Sequence, residues 1–314
     1  MRPPRSAVLV LLAAIASIAG VFAVDASGVR RPRCFGAASR DPELRCVNPA
    51  LRHMVVPSPS DAMDAPNAPC DPVPTDEPPY RCTFGSPPED ATATIALIGD
   101  SHATHWRSAL LTVAARRHWH GISIARSSCP FTQATPDIPD RKGCVAWNRD
   151  VINFLDEHPE ITMVVLAQHR GKVVAPKTVD HRQVQIGGYV KAWSMLPDSV
   201  RYTFVIRDTP YDRTHTGDCV EQALHRGDDP GQLCAIPRSG ALKTDPAALA
   251  SRRTTDKRVH LIDMTQFFCS PALCYPVVGG ALVHKDTTHM SLTFGTTLGP
   301  YLLRAVDRVL KPQP

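Results

Sequence analysis

The pattern of apolar and polar positions changes near residue 94. Beyond this point, short β-branched apolar runs alternate with longer segments whose apolar residues recur every three or four positions. The short runs predict buried strands, and the longer segments predict amphipathic helices. The predicted strands cover residues 95–98, 122–125, 162–167, 202–206 and 259–264, and the predicted helices cover residues 102–118, 146–158, 184–196, 247–253 and 292–310.

Strands that alternate with helices are typical of a parallel sheet with helices on both faces, so we predict an α/β fold. Two long segments, residues 208–244 and 266–285, interrupt the alternation, and each holds two cysteines. Loops of this length in a compact domain are usually functional or covalently held. We expect both segments to be loops that disulfides pin to the domain.

The N-terminal part of the chain has a different pattern. A short basic segment precedes an uncharged, mostly apolar run at residues 6–24, with small-residue cleavage sites at residues 21–23 and 24–26. A cleaved signal peptide and an uncleaved signal-anchor both fit this pattern, and we assign residues 1–26 to one or the other. An uncleaved run is the expected membrane contact. Either alternative delivers the rest of the chain outside the cytoplasm.

Residues 27–90 are rich in proline and cysteine and show no sustained helical or strand period. We expect a lead-in that packs on the main domain or leads to it, and we assign residues 91–314 to that domain. The net charge of +5 is mild and the basic residues are dispersed. Nucleic acid is therefore not an expected partner.

The cysteines point to an oxidising compartment. Their number, ten, is even, and the sequence has no CxxC motif. This usage favours five disulfides over a zinc site. The regular spacing suggests pairing between sequential neighbours, although the sequence alone leaves the connectivity open. The residues are Cys34, Cys46, Cys70, Cys82, Cys129, Cys144, Cys219, Cys234, Cys269 and Cys274.

Ser101 is the first candidate for chemistry. It follows the predicted strand 95–98 in a Gly-Asp-Ser turn and precedes a predicted helix, which is where parallel α/β sheets carry their sites. Asp286 and His289 lie three residues apart, just before the closing helix. A serine hydroxyl becomes nucleophilic when a neutral imidazole takes its proton and a carboxylate orients that imidazole. Together these residues predict a Ser-His-Asp triad.

Each motif also has a structural explanation. Asp100 or Ser101 can cap the following helix, and an Asp-x-x-His segment can be a surface turn. His284, Asp286 and His289 can also be interpreted as a metal cluster. No further ligand is evident, however, and the serine constellation explains two of these three residues. We therefore expect no metal and no cofactor.

Five segments of the sequence resemble a known superfamily. The chain resembles the SGNH (GDSL-like) hydrolases, and within them the extracytoplasmic SGNH domain fused to membrane acyltransferases of the acyltransferase-3 type. The first and last segments are specific in combination, and those between them are weaker. The segments are residues 96–106 (ALIGDSHATHW), 127–130 (SSCP), 144–148 (CVAWN), 274–280 (CYPVVGG) and 286–292 (DTTHMSL).

The resemblance implies a three-layer α/β/α, flavodoxin-like fold with about five parallel strands. It also implies Ser101 as the nucleophile, His289 as the base and Asp286 as the orienting carboxylate. The superfamily usually takes oxyanion donors from a glycine after the second strand and an asparagine after the third, and this chain has neither. The remaining candidates for oxyanion donors are the Ser101 backbone N–H, Ser127, Ser128, Gln168 and His169.

We predict an extracytoplasmic O-acyltransferase that modifies cell-envelope glycans through an acyl-enzyme on Ser101. Its expected partners are an acyl-ester donor and a glycan acceptor. Because the sequence holds one apolar run and not several, a separate membrane acyltransferase is a further candidate partner. The expected location is secreted, or anchored to the outer face of the cytoplasmic membrane.

Two alternatives stay open. An esterase with the same triad is the first, because hydrolysis and transfer share the acyl-enzyme intermediate. A non-catalytic glycan-binding module that keeps the fold is the second, and the missing glycine and asparagine motivate it.

Overall fold

The structure is a computed structural model that describes residues 22–24 and 30–311. The chain divides into two compact units, Met1–Arg33 and Cys34–Pro314. In the first unit, residues 22–24 pair with residues 30–32 as antiparallel strands. The apolar run predicted to be a signal peptide or anchor, with its cleavage sites, lies outside the described residues apart from residues 22–24.

Strands and helices alternate along the second unit as the apolar pattern predicts. The first two strands named below belong to the first unit, and all other elements belong to the second. The strands are β1 (Phe22–Val24), β2 (Arg30–Pro32), β3 (Asp71–Pro72), β4 (Cys82–Gly85), β5 (Ala93–Gly99), β6 (Trp119–Ala125), β7 (Ile161–Ala167), β8 (Tyr202–Ile206), β9 (Ile236–Pro237), β10 (Val259–Ile262), β11 (Leu273–Cys274), β12 (Val277–Val278) and β13 (Ala281–Leu282). The helices are α1 (Pro59–Asp64), α2 (Ser101–Arg117), α3 (Arg141–Glu157), α4 (His181–Trp193), α5 (Thr216–Arg226), α6 (Pro230–Leu233), α7 (Arg238–Ala241), α8 (Pro246–Arg253) and α9 (Leu292–Leu310).

Seven strands form the central sheet, in the order β10-β8-β7-β5-β6-β4-β3. The five strands from β10 to β6 are parallel. At one edge, β4 pairs antiparallel with β6, and β3 pairs antiparallel with β4. The predicted three-layer α/β/α fold with five parallel strands is thus confirmed. The sequence pattern predicted no strand in residues 71–85, because strands this short hold too few residues to show a period.

Both faces of the sheet are covered by helices. Consecutive residues of a strand point to opposite faces. Ile95 and Leu97 of β5 therefore join the apolar cluster that includes α2 and α9, while Ala96 and Ile98 join the cluster that includes α3, α4 and α8. All four side chains are fully buried. Burial on both faces explains why β5 is a continuous apolar run instead of an alternating one.

The expectation of a loop over residues 208–244 is wrong in part. Helix α5 lies within this segment, and Val220 and Ala223 bury one of its faces. With so few apolar positions, the helix shows too short a stripe to be detected in the sequence. The second long segment does lack long elements: it holds the end of a short 3₁₀ helix, Thr265–Phe267, and the two-residue strands β11, β12 and β13.

The five disulfides all join sequential neighbours. They are Cys34–Cys46, Cys70–Cys82, Cys129–Cys144, Cys219–Cys234 and Cys269–Cys274. Each therefore closes a short loop, and none links distant parts of the sequence. Within residues 22–24 and 30–311, no helix has the length and apolar character needed to cross a membrane.

Candidate active site

Ser101 lies where the sheet strand β5 gives way to helix α2. The strand ends at Gly99, where a Cβ atom would collide with the carbonyl oxygen of Ala167 on β7, so glycine is required. Asp100 caps the helix by accepting a hydrogen bond from the His102 N–H at 2.9 Å. Ser101 is thus the first residue of α2, at the carboxyl edge of the parallel strands, where helix amides favour negative charge.

The structure brings Ser101, His289 and Asp286 together in one hydrogen-bonded chain. His289 Nε2 lies 2.8 Å from Ser101 Oγ, and His289 Nδ1 lies 2.7 Å from Asp286 Oδ2. A carboxylate can only accept, so Nδ1 carries the proton of the neutral ring and Nε2 is free to accept from the serine hydroxyl. This tautomer is the one that a general base beside a serine requires.

The Asp286 carboxylate also fixes the backbone around His289. Its Oδ1 accepts hydrogen bonds from the N–H groups of His289 at 2.7 Å and Thr288 at 2.8 Å. Burial alone raises the pKa of Asp286, but these hydrogen bonds and the one from the imidazole outweigh it and hold the pKa well below its usual range. Asp286 is therefore ionised at neutral pH.

A second, more deeply buried network lies beside these three residues. His102 Nδ1 is 2.6 Å from Asp208 Oδ1, and both side chains are almost fully buried. Burial lowers the pKa of His102, but the Asp208 carboxylate outweighs this and the net pKa is raised. Asp208 also accepts from the N–H groups of Thr209 and Arg170, so it joins the ends of β7 and β8 to α2.

His169 links this network to the surface of the site. Its backbone N–H donates to both oxygens of Asp100, at 2.9 and 3.1 Å. Burial is the main reason that the pKa of its imidazole is lowered to about 4, so the ring is neutral at pH 7. The ring nitrogens contact the Gly171 N–H at 3.1 Å and the Tyr211 hydroxyl.

An open cavity of about 590 Å³ lies against Ser101 and His289. A volume of this size is typical of small-ligand sites. Of the candidates for oxyanion donors, Ser101, Ser128 and His169 line this cavity. Ser127 and Gln168 are not part of its lining; Gln168 is buried, and its Oε1 accepts from the Phe131 N–H at 2.9 Å.

His284 does not join His289 and Asp286. It is buried, with its Nδ1 at 3.4 Å from Asp212 Oδ2. Among the described residues, no three side chains of histidine, cysteine, aspartate or glutamate are placed to share a metal ion.

Sequence reasoning missed Asp208, Tyr211 and Arg170, which the structure places beside the site. Asp208 follows strand β8 at its carboxyl end, so its position at the functional edge of a parallel sheet was the available signal. Tyr211 and Arg170 lie in loops, where the sequence carries no periodic signal.

Comparison with known proteins gives two findings. The model of one protein family, the SGNH domain (fused to AT3 domains), matches residues 69–304. Among solved structures, the chain is similar to the periplasmic domain of a lipopolysaccharide acetyltransferase from Salmonella ser. Paratyphi A. The identity is 13%, the TM-score is 0.53, and the match covers 71% of this chain and 85% of that one. No curated protein matches the chain with significance.

The match to the family model spans well over half of the chain, so the chain belongs to the family of SGNH domains fused to AT3 domains. The similarity to the solved periplasmic domain supports the same fold. Family and fold together support an acyl-transferring or hydrolytic role. Five disulfides favour a location outside the cytoplasm.

Proposed function

We propose that the chain is an extracytoplasmic O-acyltransferase that moves an acyl group onto cell-envelope glycans through an ester on Ser101. One observation carries the proposal: the hydrogen-bonded chain from Ser101 Oγ through His289 to the Asp286 carboxylate. A serine that only caps a helix would have no base beside its hydroxyl, whereas here the imidazole of His289 faces it, with Nδ1 held by the Asp286 carboxylate.

In the first step, Ser101 Oγ attacks the carbonyl carbon of the donor ester while His289 Nε2 takes the hydroxyl proton. The resulting imidazolium is stabilised by Asp286, which stays ionised. When the tetrahedral intermediate collapses, the bond to the donor's alcohol oxygen breaks, and His289 returns the proton to that oxygen. The product of this step is an acyl-enzyme and a free donor alcohol.

In the second step, a hydroxyl group of the acceptor glycan replaces the donor alcohol. His289 removes its proton as its oxygen attacks the acyl carbon, and then returns the proton to Ser101 Oγ. The acylated glycan leaves and the free serine is restored. Water in place of the glycan hydroxyl would give hydrolysis, which is the competing outcome for the same intermediate.

The oxyanion formed in both steps needs hydrogen-bond donors. We assign the first to the Ser101 backbone N–H, which has no acceptor among the described residues. Ser128 is the proposed second donor: it lines the same cavity, and its φ of 62° turns the loop after β6 in a conformation more usual for glycine. His169 is the weaker candidate, because its backbone N–H already donates to Asp100.

The domains to which the family is fused favour transfer over hydrolysis. The matched family consists of SGNH domains fused to AT3 domains, and the solved neighbour is described as an acetyltransferase. By analogy, we propose a membrane acyltransferase as the partner that supplies the acyl group. The lipopolysaccharide named for the neighbour supports a cell-envelope glycan as the acceptor class.

The first test is covalent labelling of the oxidised protein with a fluorophosphonate probe. We expect one labelled site, located on Ser101 by peptide mass mapping, and loss of the label in Ser101→Ala. The matched control is Ser194→Ala, which removes an exposed hydroxyl at the end of α4 and keeps the label. Absence of label in the folded wild-type protein would favour the glycan-binding alternative.

The second test separates transfer from hydrolysis. The protein is incubated with an acetyl-ester donor and cell-envelope polysaccharide, and both acetylated polysaccharide and free acetate are measured. Transfer predicts acetylated polysaccharide that depends on Ser101. Exclusive release of acetate would support the esterase instead.

A further inference from the structure

The cavity beside Ser101 extends along the loop that follows β7. Arg170, Gly171 and Lys172 line this extension, and residues 136–138 line it beside them. The two segments form one wall, because the Asp137 N–H donates to the Lys172 carbonyl and the Val174 N–H donates to the Thr135 carbonyl, each at 2.9 Å. The extension is therefore a fixed part of the site and not a loose surface groove.

The hydrogen bonds in this wall fix the Tyr211 hydroxyl as a donor. The Gly171 N–H can only donate, so His169 Nδ1 must accept. The neutral ring then carries its proton on Nε2, which donates to the Tyr211 oxygen. Burial raises the pKa of Tyr211, so the phenol keeps its own proton. That proton has no acceptor among the described residues.

Arg170 adds a second group of donors at the same place. Its guanidinium carbon lies 3.5 Å from the centroid of the Tyr211 ring, and no carboxylate of the described residues lies within ion-pair distance of it. Its backbone is held on both sides, because its N–H donates to Asp208 and its carbonyl accepts from Gln185 Nε2. The guanidinium is thus positioned at the cavity without an anionic partner from the described residues.

This wall therefore offers donors and positive charge: the Tyr211 hydroxyl, the Arg170 guanidinium and the Lys172 ammonium. A ligand that complements such a wall brings acceptors and negative charge. The exception is Asp137, an exposed carboxylate on the neighbouring segment, next to Lys172. It makes no ion pair with a cation of the described residues, and its charge reduces the positive field without cancelling it.

We propose that Arg170, Tyr211 and Lys172 bind an anionic substituent of the acceptor glycan, a carboxylate or a phosphate, beside the acyl-transfer site. This proposal rests on the proposed function, since it names the substrate class of the same cavity. The acceptor is accordingly an acidic sugar or a phosphorylated sugar, and a neutral sugar is a poorer acceptor.

The test uses acetylated sugars, because by microscopic reversibility an acetylated acceptor can acylate Ser101 from the acceptor side. The probes are the O-acetylated methyl glucuronoside, its uncharged methyl ester and O-acetylated glucose 6-phosphate. We expect kcat/KM for at least one anionic probe to exceed that of the uncharged ester about tenfold or more, mainly through KM. Added NaCl should reduce the preference. The two anionic probes distinguish carboxylate from phosphate.

Variants test whether the preference for anionic probes comes from Arg170 and Tyr211. Arg170→Gln and Tyr211→Phe should each reduce the anionic-to-neutral ratio, by about tenfold for Arg170→Gln. Because the ratio compares two probes on the same variant, a change in the basal rate of that variant cancels. Arg170→Lys should restore part of the preference. Asp137→Asn should lower KM for the anionic probe. The matched control is Arg182→Gln, an exposed arginine on α4, which should leave the ratio unchanged.

Failure of this proposal can be told from failure of the proposed function. Equal kcat/KM for charged and uncharged probes, with active hydrolysis of 4-nitrophenyl acetate, would overturn the anionic subsite alone. If the protein hydrolyses none of them, calorimetry with methyl glucuronoside and glucose 6-phosphate on Ser101→Ala tests the subsite by itself. Binding that Arg170→Gln abolishes would support it, and no binding of either sugar would overturn it.

Discussion

The Asp286 carboxylate holds both the ring of His289 and the backbone of the turn that carries it. One oxygen holds the imidazole of His289, and the other holds the backbone N–H groups of His289 and Thr288. The same group therefore sets both the proton position on the ring and the conformation of the turn. An amide of the same shape keeps only part of this pattern, because its nitrogen is a donor that faces the protonated Nδ1.

We predict that Asp286→Asn lowers the rate of acetyl-ester hydrolysis by about 10³- to 10⁴-fold while the protein stays folded. The measurement is steady-state kinetics with circular dichroism as a check of the fold. The control is Asp218→Asn, which alters an exposed pair with His215 and should not change the rate. A rate for Asp286→Asn within tenfold of wild type would contradict the role assigned to this carboxylate.

His169 predicts a dependence of stability on pH. Its pKa in the folded protein is lowered to about 4, chiefly by burial, whereas an unfolded histidine has a pKa of about 6.5. Between these values the unfolded chain binds the additional proton, so stability present above pH 6.5 is lost as the pH falls towards 4. We expect urea unfolding to show a steeper loss in wild type than in His169→Asn across this window. Parallel curves for the two proteins would contradict the prediction.

At the scale of elements, two helix starts position the reacting side chains. Ser101 opens α2, and α9 begins three residues after His289. The cap of α9 is Ser291, whose Oγ accepts from the Phe294 N–H at 3.1 Å and donates to the Leu282 carbonyl. Helices α2 and α9 belong to the same apolar cluster. The cap therefore connects the turn that carries His289 to the helix pair beneath the site.

We predict that Ser291→Ala lowers the free energy of unfolding by about 1–2 kcal/mol and also lowers kcat, because the turn that holds His289 is released. Chemical denaturation and steady-state kinetics measure the two effects. Asp180→Ala is the matched control: it removes the cap of α4, where Asp180 accepts from the Arg182 N–H at 2.8 Å. It should lose about 1 kcal/mol with kcat unchanged. Equal losses of kcat in the two variants would contradict this account.

At the scale of the whole molecule, the disulfides stabilise local loops, whereas the apolar core joins distant parts of the chain. Each disulfide closes a loop of 5 to 15 residues between sequential cysteines. The contacts that join distant parts of the chain are instead made by the sheet and the two apolar clusters on its faces. The disulfides therefore stabilise local segments, and the topology does not depend on any one of them.

Loop length predicts the order of their contributions. Replacing Cys129 and Cys144 by alanine should cost about 3 kcal/mol, because this disulfide closes a separation of 15 residues. Replacing Cys269 and Cys274, with a separation of 5, should cost about 2 kcal/mol. Guanidinium unfolding without reductant measures both. The reverse order, or the loss of the folded state in the second variant, would contradict the assignment of local roles.

The sequence by itself determined the class of fold and the identity of the candidate triad. Strand 202–206 and helix 292–310 have the predicted bounds. Each shows a clear run or period of apolar residues, which can be detected without knowing the rest of the structure. Ser101, Asp286 and His289 were detectable for a similar reason, since each belongs to a short motif beside a predicted element. Their roles in catalysis stay a proposal that the labelling experiment tests.

Only the tertiary structure decided which side chains meet. Ser101 and His289 are 188 positions apart, and His102 and Asp208 are 106 positions apart. Their contacts depend on the order of strands in the sheet and on the path of the loops, which no local pattern encodes. The donor-lined wall at Arg170 and Tyr211 arises in the same way, from two loops that follow neighbouring parallel strands. Strands and helices leave a periodic pattern of apolar residues in the sequence. A site at the edge of a sheet leaves no such pattern, because its side chains come together only after the strands are assembled.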